Sequence, residues 1–201
     1  MKMNCLLCGV GGQGIVMASK LLAVAAMEKN WHVRTAETIG MAQRGGCVVS
    51  HVRIADEPIA SSMIPEGEAD LILAFEPGEA VRCLKYLKPG GALATVRDAV
   101  QPVGAALGQQ VYDGETMLNY LRRNVSRLII ADGREFCRYS GSPKVLNTAL
   151  LGVAANAGWL SISPEELGEA IGKKIPEAYR AINLRALEAA KQLTAQQGQS
   201  L

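Results

Sequence analysis

A glycine-rich turn, Gly9-Val10-Gly11-Gly12-Gln13-Gly14, lies near the start of the chain. An apolar run, Cys5-Leu6-Leu7-Cys8, precedes it and an amphipathic segment, Ile15 to Asn30, follows. Gly9, Gly11 and Gly14 have the G-x-G-x-x-G spacing. Between a strand and a helix, such a turn turns bare backbone N–H groups and a helix N-terminus toward a negative charge. Each glycine has a mechanical use: a backbone with positive φ, room for a ligand against the main chain, or tight helix–strand contact. The chemistry implied is anion binding, with a phosphate-sized site at Gly11, Gly12, Gln13 and Gly14.

A second glycine-rich stretch, Gly40-Met41-Ala42-Gln43-Arg44-Gly45-Gly46, sets one guanidinium among flexible backbone. Arginine presents planar paired donors to phosphate, and neighbouring glycine amides add to them. Gln43, Arg44, Gly45 and Gly46 are therefore candidates for a second contact, to a ligand or to a partner chain; a plain β-turn with a surface arginine is the alternative. Glu37 falls about where a dinucleotide enzyme keeps a ribose-binding acid, but it also suits a solvated strand end. His32 and His51 are the only histidines. With no orienting carboxylate or nucleophile assigned beside them, both read as strand residues rather than catalysts. Cys5 and Cys8 form C-x-x-C, yet residues three apart in a strand face opposite ways, so one metal could not take both thiolates. The five cysteines (5, 8, 47, 83 and 137) read as buried structural thiols.

The elements that must hold these loops follow from composition and period. The 201 residues are 49% hydrophobic, with a net charge of +2 and 4% aromatics. That favours one well-buried α/β domain and argues against a nucleic-acid surface, which needs a clustered basic face. No signal peptide and no run of about 18 apolar residues stands out, so no membrane role is expected and a reducing cytoplasm is the expected location. Continuous apolar runs predict strands at Met3–Cys8, Ala69–Phe75, Ala92–Val96 and Arg127–Ala131, with a further strand at Trp31–Ala36. Cys47 to Ile54 alternates half-polar residues and suits an antiparallel or edge strand. A short returning segment is expected at 59–64, helices over 78–87 and 115–123, and irregular chain from Gln101 to Gln110. From Ser142 onward the pattern is helical, with a capping box and first-turn proline at Ser163-Pro164-Glu165-Glu166, a last helix from about Pro176 to Leu193 and a fraying Gln-rich tail. The expectation is a single domain over 1–201, mainly helical over 141–195. Its fold is three-layer, Rossmann-like α/β, a mostly parallel sheet with some antiparallel strand.

The two glycine loops, then Ser50-His51-Val52-Arg53, Ala69-Asp70, Phe75-Glu76-Pro77, Asn147 before Leu151-Gly152, the Ser163 helix start and Asn183 occur in one order along nearly the whole chain. In that order they closely resemble the gamma-type domain of 2-oxoacid:ferredoxin oxidoreductases. The Gln43-Arg44-Gly45-Gly46 form is most similar to the small (beta) subunit of the indolepyruvate branch; Ile39 and Cys47 depart from it, where that branch often has His and Ser. The resemblance implies a subunit of an enzyme that converts an aryl pyruvate, coenzyme A and oxidised ferredoxin to an acyl-CoA, carbon dioxide and reduced ferredoxin. It implies coenzyme A as co-substrate, with thiamine diphosphate and iron–sulfur clusters on a larger catalytic partner subunit. Ferredoxin is then met through the complex, and the isolated chain, a candidate homodimer, would be inactive. In agreement, the sequence has no C-x₂-C-x₂-C run.

Two other readings stand beside this one. A stand-alone NAD-dependent oxidoreductase would use the Gly9 turn and Glu37. A purely structural partner would bind protein through its loops and no small ligand.

Overall fold

The computed structural model describes residues 2–37, 46–101 and 112–198. Six strands form one sheet: β1 (Lys2–Val10), β2 (His32–Glu37), β3 (Cys47–Ala55), β4 (Ala69–Ala74), β5 (Leu87–Val96) and β6 (Arg127–Ala131). Their spatial order is β2-β3-β1-β4-β5-β6. β1, β4, β5 and β6 run parallel, while β3 is antiparallel to both β1 and β2. The antiparallel expectation for 47–54 is met, but β3 lies inside the sheet rather than at its edge. Its pairing to β1 extends from Lys2↔Ala55 to Val10↔Cys47.

Alternation along β1 separates two cores. Met3, Cys5 and Leu7 join one buried cluster, and Leu6 and Cys8 the other. The two cysteines therefore face opposite layers. The first layer holds helices α1 (Ile15–Glu28), α5 (Leu146–Asn156), α6 (Pro164–Lys174) and α7 (Glu177–Gly198). The second is built on α2 (Pro77–Cys83) and α3 (Gly114–Asn124). Strands buried on both faces read as unbroken apolar runs, and full burial of each Leu or Ile in β1 and β4 contributes about 1.5–3 kcal/mol. The α6 start is built as expected: Ser163 Oγ accepts the Glu166 N–H, and the Glu166 carboxylate accepts the Ser163 N–H.

Other expectations need correction. β5 begins at Leu87, not Ala92, because Lys88-Pro89-Gly90-Gly91 is taken up within the strand: the register to β4 shifts between Ala69 and Leu71, and Gly90 has φ +72°. The returning segment 59–64 has neither helix nor strand, and α2 gives way to a 3₁₀ turn at Leu84–Tyr86. Helix α4 (Gly133–Ser140) has no counterpart in the sequence reading. Asp132 caps it and Gly141, at φ +82°, ends it. The last helix continues through Gly198 instead of fraying at Gln196. Apart from Gln101, the stretch expected to be irregular lies outside the described residues.

Candidate functional site

β1 and its parallel neighbours end at one level, with Cys8 beside Ala74, Ala74 beside Thr95, and Thr95 beside Ile130. The chain leaves β1 for α1 on one face and leaves β4 for α2 on the other, so a topological switch point lies between them. In open α/β sheets ligands bind at such a switch point, outside the carboxyl ends of the strands.

The glycine turn forms one wall. Gly12, at φ +98°, is exposed with nothing among the described residues within 4 Å of where a Cβ would stand. Gly14, at φ +80°, is the N-cap of α1, and a Cβ on it would lie 2.6 Å from Asn147 Nδ2. Gly9 is required by closeness: a Cβ there would meet Gln13 Oε1 at 2.6 Å and Phe75 Cβ at 3.0 Å. The amides divide into used and unused. Val10 N–H donates to Gln13 Oε1 at 2.7 Å, and Gln13 N–H to Val10 O at 3.2 Å. Gly11 N–H donates to Gly46 O at 2.9 Å. Gly12, Ile15 and Val16 N–H find no acceptor among the described residues, no side chain caps α1, and no acid sits in its first turn. A helix start left in that state attracts an anion.

The proposed site residues thus sort by role. Gly12 and Gly14 shape the open turn, and Gly11 and Gly46 tie the two glycine stretches together. Gln13 is a strut, not a ligand-facing group, because its Nε2 also donates to Phe75 O at 2.6 Å and so bridges the ends of β1 and β4. Gln43, Arg44 and Gly45 lie outside the described residues.

The opposite wall was not legible as a site. Glu76, buried at the end of β4, accepts the Glu79 N–H at 2.9 Å and the Tyr112 hydroxyl proton. Tyr112 Oη in turn accepts the Gly78 N–H at 3.1 Å. Burial first, and the Glu76 charge second, push the Glu79 carboxyl up to about 7, although Arg82 pairs with it. Burial and the bond to Glu76 push the Tyr112 phenol up. Below Glu79, Cys8 Sγ lies 3.6 Å from its carbonyl oxygen; the neighbouring Cys83 and burial raise the Cys8 thiol. The sequence points to this wall only through the Phe75-Glu76-Pro77 string and through Cys8 and Cys83, read there as buried thiols. Further along the same edge, Arg97, Asp98, Asp132 and Arg134 line a cavity of about 300 Å³, where Asp98 Oδ2 accepts the Gly133 N–H.

The remaining candidates are structural. The Glu37 carboxylate accepts from Ser19 Oγ at 3.1 Å, and β3 stands between its strand and the turn. Strands lie about 4.8 Å apart, which displaces Glu37 about 10 Å sideways from β1. His51 Nδ1 accepts the Ile64 N–H at 3.1 Å, its ring stands edge-on to Tyr86, and burial lowers its pKa. His32 is exposed at the far end of β2. Arg53 donates to Asn4 Oδ1, Ser61 O and Met63 O, beside a cavity of about 550 Å³ at the amino edge of the sheet. Among the described residues no group of three or more His, Cys, Asp or Glu could hold a metal ion.

Comparison with known proteins agrees with this architecture. A family model described as pyruvate ferredoxin/flavodoxin oxidoreductase matches residues 4–193. The indolepyruvate oxidoreductase subunit IorB of Thermococcus kodakarensis is 34% identical over 187 residues, 92% of each chain. The keto/oxoacid ferredoxin oxidoreductase gamma subunit of Geobacter sulfurreducens superposes with a TM-score of 0.69 at 22% identity, covering 96% of this chain and 99% of that one. The 2-oxoglutarate:ferredoxin oxidoreductase of Magnetococcus marinus, solved with 2-oxoglutarate, coenzyme A and succinyl-CoA bound, gives a TM-score of 0.71 at 20% identity, covering 97% of this chain and 31% of that one. The chain belongs to the pyruvate ferredoxin/flavodoxin oxidoreductase family.

Proposed function

We propose that this chain is the small subunit of an indolepyruvate or related 2-oxoacid:ferredoxin oxidoreductase, and that its glycine turn receives the phosphates of coenzyme A. The one observation that carries the ligand assignment is the set of amides at Gly12, Ile15 and Val16 that find no acceptor among the described residues at the switch point. The IorB relative supports the substrate branch, and the coenzyme A held by the Magnetococcus enzyme supports the ligand.

The work of this chain is binding and orientation. Its amides stabilise oxyanions without ionising, and Gln13 and Asn147 hold the turn's shape; Arg44, two residues before Gly46 in the sequence, is the guanidinium we assign to the same ligand. Decarboxylation and electron transfer belong to thiamine diphosphate and iron–sulfur clusters on a larger partner subunit, which then passes electrons to ferredoxin. Cys5 and Cys8, on opposite faces of β1, cannot share a cluster iron. A reducing cytoplasm suits five unpaired cysteines. The whole length acts as one domain.

Titration of the enzyme, assembled with its partner subunit, against coenzyme A and against NADH tests the reading. Coenzyme A binds, more weakly as salt rises, and NADH does not. Tight NADH binding with no coenzyme A binding would return the chain to the dinucleotide enzymes.

A further inference from the structure

We infer that Asn147 is a positioning residue for the anion-binding turn, held in place from α7 by a buried relay through Thr148 and Asn183. The inference rests on the reading of the turn as the coenzyme A site and goes beyond it, since Asn147 touches no ligand-facing amide.

The relay begins at the residue that closes the turn. Gly14 lies in the left-handed region at φ +80°, and its carbonyl oxygen starts α1 by accepting the Ala18 N–H at 3.0 Å. The same oxygen accepts a second bond from Asn147 Nδ2 at 3.2 Å. Asn147 also occupies the space where a Gly14 side chain would go. The peptide that carries the Gly14 carbonyl is the one that carries the Ile15 N–H. Fixing the direction of one therefore fixes the direction of the other, because the unit is planar. Asn147 sets the aim of an unused amide from behind.

Asn147 is itself held. Its Oδ1 accepts the Thr148 N–H at 2.9 Å, which leaves Nδ2 as the group facing Gly14. The Thr148 hydroxyl donates to Asn183 Oδ1 at 2.5 Å, and Asn183 Nδ2 donates to Tyr179 O at 2.8 Å. Asn147, Thr148 and Asn183 are 5%, 1% and 6% exposed. A buried polar set with its bonds satisfied specifies one arrangement. A solvent-facing asparagine could not do this. The relay spans residues 14, 147 and 183, so the C-terminal helical layer decides the shape of a turn at the other end of the chain.

The test uses the assembled enzyme and measures KM for coenzyme A against kcat at saturating coenzyme A. Asn147→Asp keeps the shape but puts an acceptor against the Gly14 carbonyl; it raises KM at least tenfold while kcat stays within twofold. Asn147→Ala raises KM about three- to tenfold. Thr148→Val keeps the volume, breaks only the bond to Asn183, and raises KM about threefold; it carries the test if the Asn147 variants fail to assemble. A merely structural asparagine would lower the melting temperature and the yield of assembled enzyme and leave KM where it was. KM unchanged in these variants while Gly12→Asp raises it overturns the positioning role alone. KM unchanged in all of them, Gly12→Asp included, overturns the coenzyme A reading and this inference with it.

Discussion

Gly12 offers a clean electrostatic test of the turn. Its φ of +98° strains most side chains, but asparagine and aspartate tolerate positive φ several-fold better than other residues. Because nothing among the described residues lies within 4 Å of its added Cβ, either enters without a clash against them. Gly12→Asn and Gly12→Asp thus share shape and backbone cost and differ by one charge. A carboxylate there would sit roughly 5–6 Å from an anion on the neighbouring amides; at an effective dielectric constant near 60, one pair of unit charges that far apart repels by about 1 kcal/mol, and a phosphate of charge near −2 doubles this. The expected penalty of Asp relative to Asn is about 1–2 kcal/mol, roughly a five- to thirtyfold rise in KM for coenzyme A. The assay is 2-oxoacid- and coenzyme-A-dependent ferredoxin reduction by the assembled enzyme at 50 mM and 500 mM salt, the ratio shrinking at the higher value as the screening length contracts. Equal KM for the two variants at low salt would refute the placement of an anion on these amides.

Three further outcomes follow from the same geometry. Gln13→Ala removes two side-chain bonds and leaves Val10 N–H and Phe75 O without them, so a loss of about 1–3 kcal/mol is expected, read as an earlier urea midpoint. Glu79 has its carboxyl pushed up to about 7, so the folded chain holds more protons than the unfolded one between about pH 4.5 and 7. Stability therefore falls as pH rises through that window and the full cost is present above it. Glu79→Gln should flatten this slope and raise the unfolding free energy at pH 8 by an amount on the order of 1–2 kcal/mol after screening by solvent and Arg82, read as a higher melting temperature; a parallel pH profile in the variant would show the carboxyl to be ordinary. Arg44→Ala should raise KM for coenzyme A about tenfold with the melting temperature unchanged, and unchanged affinity and turnover would remove Arg44 from the site.

How much was legible depends on whether the signal was local. β1 and α1 could be read because apolar residues cover both faces of one and recur at helical spacing on the other. The antiparallel sense of β3 could be read from Val48, Ser50, Val52 and Ile54 facing one way and His51 and Arg53 the other. Helix α4 could not, since it is eight residues long and buries one large side chain, Phe136. Within the site, the positions of Gly9 and Gly14 follow from spacing alone. The destination of the Gln13 amide does not, because Phe75 is 62 residues away. The Glu76–Tyr112 contact, 36 residues apart, and the Asn147–Gly14 contact, 133 apart, are equally invisible to a pattern search. Local propensity places loops; strand order decides what they meet.

Strand polarity also bears on the ligand chemistry proposed above. In a dinucleotide fold the strand beside β1 is parallel to it, so that strand's carboxyl end brings an acid to the turn. Here the neighbour is antiparallel, and its amino end arrives instead, with Gly46 bonded to Gly11 and Cys47 paired with Val10. The acid that sequence spacing suggested, Glu37, is carried a strand further out and held by Ser19. Reversing one strand takes a carboxylate suited to a ribose hydroxyl away from the turn and brings Gly46 to it instead. The same G-x-G-x-x-G spacing can therefore open a nicotinamide site or a phosphate cradle. Under the proposed function the direction of β3 favours the cradle, and the pairing Cys47↔Val10 is where β3 meets the turn.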